Sequence, residues 1–111
     1  MAGGMEGVCA MYDVILSGKI TGDADYKLKF AQAVVRVKTA HPGASVWNPC
    51  LLPDDREYRW YMRQCLRVIM DDASPTCVLV LMKGWNRSPE AVAEWAVARC
   101  IGMPVVKLWE L

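Results

Sequence analysis

The chain has 111 residues and a formal net charge of +1, with 54% hydrophobic and 23% charged residues. This length predicts one domain with a real core, and the balanced charge gives no electrostatic reason to bind a nucleic acid polymer or a membrane surface. No stretch approaches the roughly 20 apolar residues that span a bilayer, and no basic segment precedes an apolar one at the start, so we expect a cytoplasmic protein.

The first part of the chain predicts an extension, a strand and a helix. Residues 1–10 are small and glycine-rich, which predicts a flexible N-terminal extension before a single domain over residues 11–111. The β-branched, apolar run 12–16 predicts the first strand, followed by a glycine-bearing loop. Apolar residues at three- and four-residue intervals predict a helix over residues 26–39, which His-Pro-Gly ends.

The rest of the chain repeats this alternation. The elements predicted in order are a strand over 44–47, a helix over 55–70, a strand over 76–82, a helix over 88–101 and a strand over 103–109. The run 76–82 is uninterrupted and apolar, so we expect it to be the central strand. With right-handed crossovers, this order predicts a three-layer α/β/α domain with a short parallel sheet, of Rossmann-like or flavodoxin-like type.

The last helix carries a carboxylate on its apolar side. Ser88 is a good N-cap and Pro89 suits the first helical position, so the helix start is well defined. At 100° per residue, Glu94 projects between Ala91 and Ala98, towards the sheet. Because burying an unpaired carboxylate is costly, Glu94 either reaches the helix edge and only complements the dipole, or lies in a cleft with a polar task.

Ligands of such sheets bind at the carboxyl ends of the strands, near a switch in strand order. The loops expected at that edge are 17–22, 48–53 and 83–88. The Ser17-Gly18 turn and the start of the Ser88 helix offer free N–H groups to an anion such as phosphate. No G-x-G-x-x-G or Walker sequence is present, so we expect a small ligand and no cofactor.

The cysteines and the single histidine do not predict a metal site. The five cysteines are scattered, without a C-x-x-C pair and mostly in apolar runs, and are expected to be reduced core thiols. His41 has no neighbouring metal-ligand pattern and is expected to be a solvated loop residue. We therefore expect no bound metal.

Short motifs spread over residues 11 to 108 carry a family resemblance. They are LSGKITG at 16–22, Asn48-Pro49, Tyr61-Met62-Arg63, Gly84-Trp85 with Ser88, Ala91 and Glu94, and GMPV at 102–105. In this order they resemble a family of small, mostly uncharacterised phage and bacterial proteins. That family is similar to the nucleoside 2-deoxyribosyltransferases and the deoxynucleoside 5′-monophosphate N-glycosidases.

The resemblance implies chemistry at an N-glycosidic bond. In those enzymes the glutamate that matches Glu94 attacks the anomeric carbon and displaces the base, forming a covalent glycosyl-enzyme. Ser88 with the Ser17-Gly18 loop would hold the 5′ end or its phosphate, and Asn48 would shape the pocket wall. The expected ligand is a nucleoside or nucleotide.

The remaining residues of the predicted substrate site are Ile20, Gly84 and Trp85. Either Trp85 or Trp47 would stack on the base. The alternative is that both tryptophans pack at the rim of the fold, as tryptophans at strand ends commonly do.

The chain also departs from the family pattern. Ile15 stands where the enzymes usually carry a tyrosine, and Cys77 stands where they carry an aspartate. Glu90 replaces a small residue, and its charge would compete with a phosphate at the helix N-terminus. Asp71 or Asp72 either supplies the missing carboxylate or simply ends the second helix.

Two functional classes remain open from the sequence. The first is a hydrolase or deoxyribosyltransferase with Glu94 as nucleophile, and the second is a non-catalytic binder of a nucleotide-like ligand, acting as a sensor or sink. The large apolar residues Trp95, Trp109 and Leu111 predict a surface that meets a partner. We expect a homodimer or larger homo-oligomer.

Overall fold

The computed structural model describes residues 11–111, so the predicted extension over residues 1–10 lies outside the described part. Four strands alternate with three helices, as predicted. They are β1 (Tyr12–Ser17), α1 (Tyr26–Ala40), β2 (Val46–Trp47), α2 (Tyr58–Asp71), β3 (Ala73–Leu81), α3 (Pro89–Cys100) and β4 (Val105–Lys107). Short 3-10 turns occupy Pro49–Leu51, Trp85–Arg87 and Leu108–Glu110.

All four strands are parallel, in the order β2-β1-β3-β4. At the centre of the register, Ile15 of β1 lies opposite Trp47 of β2 and Leu79 of β3. The chain moves from β1 to one side and then crosses to the other side for β3, which is the strand order of flavodoxin-like folds. The switch point therefore lies between the carboxyl ends of β1 and β3.

Two apolar layers cover the sheet. On one face, α1 contributes Phe30, Ala33 and Val37, which pack against Val14, Leu16, Val80 and Met82. On the other face, α2 and α3 contribute Cys65, Val68, Ile69 and Ala98, which pack against Ile15, Cys77, Leu79 and Leu81. Alternate residues of each strand face opposite layers, which confirms the predicted α/β/α architecture and the double burial of β3.

The boundaries differ from the predicted ones where local contacts compete. The last strand ends at Lys107 because the chain turns into the 3-10 helix, where the Lys107 N–H donates to Glu110 Oε1 at 3.0 Å. The strand expected from residue 44 begins at Val46, because Ser45 instead bonds to Asp13 through both its N–H and its carbonyl. None of the helices within residues 11–111 has the length and apolar character needed to cross a membrane.

The α1 layer gives a direct test of the packing. Phe30 is 0% exposed, whereas Leu28 on the same helix is 60% exposed. Phe30→Ala should lower the free energy of unfolding by about 3–5 kcal/mol, because it removes a fully buried ring. Urea denaturation followed by circular dichroism measures this loss.

The matched control is Leu28→Ala, which should change the free energy of unfolding by no more than about 0.5 kcal/mol. Equal losses for the two variants would contradict the placement of α1 on the sheet.

Candidate functional site

The start of α3 is built as the sequence predicts. Gly84, with φ +84°, takes the left-handed conformation before the 3-10 turn Trp85–Arg87. Ser88 then caps the helix, its Oγ accepting the Ala91 N–H at 3.2 Å. Ser88 is itself buried, so the cap lies inside the fold.

Glu94 is buried on the inner side of α3. Only 6% of the residue is exposed, and Ala91 and Ala98 are buried on the same side of the helix. The hydroxyl of Ser17, the last residue of β1, donates to Glu94 Oε1 at 2.5 Å. The alternative in which Glu94 lies at an exposed helix edge is therefore excluded.

The surroundings of Glu94 raise the pKa of its carboxyl group to near neutral pH. Burial raises the pKa of Glu94 to about 7, and the negative charge of Glu90 adds to the rise. The hydrogen bonds from Ser17 and Cys65 act in the opposite direction and lower this pKa. Burial, with the charge of Glu94 beside it, also raises the pKa of the Cys65 thiol, so this cysteine is an unreactive neighbour.

Glu90 forms a second carboxylate centre one turn earlier in α3. Ser88 Oγ donates to its Oε1 at 2.7 Å, while Tyr58 OH and Thr21 Oγ1 donate to its Oε2 at 2.9 and 3.3 Å. Partial burial by itself would raise the pKa of Glu90, but these hydrogen bonds outweigh it and lower the pKa below its ordinary value. Glu90 is therefore ionised at neutral pH.

A cleft of about 470 Å³ lies at the carboxyl edge of the sheet. It is lined by Ile20, Thr21, Tyr26, Lys27, Pro49, Cys50, Leu52, Asp54, Arg56, Tyr58, Tyr61, Met62 and Glu90. The loops after β1 and β2 and the first turns of the three helices thus form its walls, as the parallel topology leads one to expect.

The predicted site residues divide into two groups around this cleft. Ile20 lines it directly. Ser17, Gly18, Ser88 and Glu94 are buried and do not line it. At Gly18 a Cβ atom would lie 3.1 Å from the Cβ of Met82, so close packing favours a glycine here.

The other predicted residues have packing roles. Asn48 Oδ1 accepts the Cys50 N–H at 2.9 Å and so caps the turn after β2. Trp85 packs against Trp95, with ring centroids 5.7 Å apart, and Trp47 is buried in the core. Asn48, Gly84, Trp85 and Trp47 are not among the residues that line the cleft.

Asp71 and Asp72 do not compensate for the two departures, at Ile15 and Cys77, from the enzymes that the sequence resembles. Ile15 and Cys77 are both buried in the layer beneath α2 and α3. Asp72 ends α2, and its carbonyl accepts the N–H of Tyr12 at the start of β1, so both it and Asp71 lie at the amino edge of the sheet. Neither aspartate reaches the site.

The other features of the described residues lie away from this edge. His41 is exposed beyond the end of α1 and lines a second cavity of about 450 Å³. Within residues 11–111, no group of three or more His, Cys, Asp or Glu side chains is placed to hold a metal ion.

Sequence reasoning singled out Glu94 and the charge of Glu90 at the helix N-terminus, but missed the hydroxyl groups of Thr21 and Tyr58 that bind Glu90. The cleft-lining residues Thr21 and Tyr58 carried no motif, and they meet Glu90 only through the fold. The one available signal was the charged residue two positions after the helix cap.

A family model described as "Domain of unknown function (DUF4406)" matches residues 11–107, which run from the start of β1 to the end of β4. No curated protein and no solved structure matches the chain.

The raised pKa of Glu94 makes the stability depend on pH. Between pH 4.5, the ordinary pKa of a glutamate, and about pH 7, Glu94 is protonated in the folded state but ionised in the unfolded state. The stabilisation that the bound proton gives is complete below about pH 4.5 and is lost as the pH rises through about 7. The loss is on the order of 3 kcal/mol. Glu94→Gln cannot ionise and should lack it, as urea denaturation at a series of pH values would measure.

Ser17→Ala tests the same prediction with a second variant. This variant removes a hydrogen bond that lowers the pKa of Glu94 in the folded state, so the loss of stability with rising pH should extend to higher pH than in the wild type. Parallel pH dependences for the wild type and Glu94→Gln would show that folding does not raise the pKa of Glu94, and would contradict this prediction.

Proposed function

Given that the chain belongs to the DUF4406 family, whose description names no activity, we propose that it hydrolyses or transfers the N-glycosidic bond of a nucleoside or nucleotide, with Glu94 as the nucleophile. The single observation that carries this proposal is the buried Glu94 held by Ser17 beside the switch point of the sheet. Burial of a carboxylate at this place costs stability, and such costs are concentrated at functional sites.

The local chemistry suits a carboxylate nucleophile. Ser17 fixes Oε1 of Glu94 by its hydrogen bond, which directs the other oxygen to attack the anomeric carbon. A bond forms between Glu94 and the anomeric carbon while the carbon–nitrogen bond breaks, and the base leaves with the electron pair and takes up a proton from solvent water. Water, or a second base, then attacks the anomeric carbon of the glycosyl-enzyme and loses a proton to solvent, while the carbon–oxygen bond to Glu94 breaks and releases the carboxylate.

The substrate would enter through the cleft and approach Glu94 past Glu90. Tyr58 OH donates to Glu90 Oε2 at 2.9 Å, and Glu94 follows Glu90 by one turn of α3. In this proposal Ser17, Gly18 and Ser88 lie next to the 5′ end of the sugar. The resemblance of the sequence motifs to the nucleoside 2-deoxyribosyltransferases supports the same assignment. The fold supports it too, because ligands of such sheets bind at the carboxyl ends of the strands.

A non-catalytic binder of a nucleotide-like ligand is the second candidate. The observation that favours it is that Glu90, and not Glu94, lines the cleft. A sensor or sink needs the cleft but does not need Glu94 to react. The two candidates therefore predict different effects of changing Glu94.

We expect the protein to release a free base from nucleosides, deoxynucleosides or their 5′-monophosphates, as measured by chromatography. Glu94→Ala and Glu94→Gln should each lower the rate by roughly 10³-fold or more, because the nucleophile is lost. The wild-type rate should rise with pH through about 7, because only the ionised carboxylate attacks.

The control is Glu57→Gln, which removes the same charge from an exposed residue at the start of α2, outside the cleft lining. It should retain the wild-type rate. Binding of a nucleoside without base release, unchanged in Glu94→Gln, would instead establish the non-catalytic binder.

We also propose a homodimer or larger homo-oligomer in the cytoplasm. The exposed Trp109, at 44%, supports a partner surface, whereas Trp95 packs against the layer under α2 and α3 and Leu111 against the layer under α1. The four described cysteines are free thiols, in keeping with a reducing compartment. Light scattering at micromolar concentration should give at least twice the monomer mass, and a monomer mass would refute the assembly.

A further inference from the structure

We infer that the cleft accepts nucleosides with a free 5′-hydroxyl and rejects their 5′-monophosphates, because the Glu90 carboxylate already occupies the anion position at the N-terminus of α3. The assignment of the ligand as a nucleoside rests on the proposed function. The exclusion of phosphate rests on the contacts of Glu90 itself and on the charges that line the cleft.

Glu90 is held as a bound anion would be held. Its Oε1 accepts from Ser88 at 2.7 Å, and its Oε2 accepts from Tyr58 at 2.9 Å and from Thr21 at 3.3 Å. Its own backbone N–H also stabilises the charged form. Donors from three separate segments of the chain thus converge on one carboxylate.

The first turn of α3 has few donors left for a second anion. The Ala91 N–H is taken by Ser88 Oγ at 3.2 Å, and the Val92 N–H donates to the Ser88 carbonyl at 3.0 Å. A helix N-terminus attracts phosphate through free amides and its dipole. Here the dipole faces a carboxylate that belongs to the chain.

The other charges of the cleft do not reverse this balance. Lys27 and Arg56 line it, but Lys27 Nζ lies 3.4 Å from Asp54 Oδ2 and Arg56 Nε lies 3.4 Å from Asp55 Oδ1. Asp54 lines the cleft as well. A phosphate would therefore meet each cation already paired with a carboxylate, and would approach Glu90 as a like charge, which disfavours binding.

A hydroxyl group fits the same place. An ionised carboxylate only accepts hydrogen bonds, so Glu90 recognises a ligand that brings a donor. A 5′-hydroxyl can donate to Glu90 in place of Tyr58 or Thr21, whereas a phosphate dianion brings only acceptors. The cleft thus distinguishes nucleosides from 5′-monophosphates in two ways, because the phosphate lacks a hydrogen-bond donor for Glu90 and carries a like charge.

The test measures base release and binding for matched deoxynucleosides and 5′-monophosphates. The wild type should favour the nucleoside in kcat/KM, and Glu90→Gln, which keeps the shape but removes the charge, should reduce that preference by at least about tenfold. Glu90→Ser, which also opens space, should reduce it further. Glu57→Gln removes an equal charge outside the cleft and should leave the preference unchanged.

Calorimetric titration with inorganic phosphate separates this inference from the proposed function. Phosphate should bind saturably to Glu90→Gln or Glu90→Ser, but not to the wild type at millimolar concentration. If no variant releases a base yet phosphate binds only after Glu90 is changed, the glycosidic function fails and the exclusion of phosphate stands. Wild-type binding of phosphate, or no gain in either variant, would overturn the inference.

Discussion

The hydrogen bond from Ser17 to Glu94 is the contact on which the arrangement of the site depends. It joins the end of β1 to the second turn of α3, across 77 residues of sequence, at the edge where the strand order reverses. Without Ser17, the buried carboxylate would keep the weakly donating Cys65 thiol as a partner but lose its hydroxyl donor, and an incompletely bonded buried charge is costly. The position of α3 over the sheet and the protonation state of Glu94 are therefore set together.

The two glutamates of α3 show how position alone separates the behaviour of identical side chains. Glu94 lies among apolar residues with few donors, and its pKa rises to about 7. Glu90 lies four residues earlier, at the helix N-terminus and among three hydroxyl groups, and its pKa falls. One helix thus carries a group that exchanges its proton near neutral pH and a group that stays charged. Such divergence between paired carboxylates is a common basis for acid–base chemistry.

The fold was predictable because it depends on local patterns. The periodicity of α1, the apolar run of β3 and the Ser88-Pro89 start of α3 each determine a local element, and the parallel topology follows from their alternation. The cleft was not predictable in the same way. Tyr58 and Thr21 meet Glu90 only after three segments are brought together, and short-range patterns carry no information about such pairs. The same limit explains why the sequence predicts Trp47 at a strand end, where it stacks on a base or packs at the rim, whereas the fold buries it in the core.

The short outer strands limit how copies of this chain can meet. In the described part of the chain, the sheet ends on one side with the two residues of β2 and on the other with the three residues of β4. Such brief edges present few unpaired backbone groups and resist strand-to-strand addition between molecules. As far as residues 11–111 are concerned, a continuous sheet running through two subunits is thereby disfavoured, and assembly through the side chains of the helical layers and their loops is favoured.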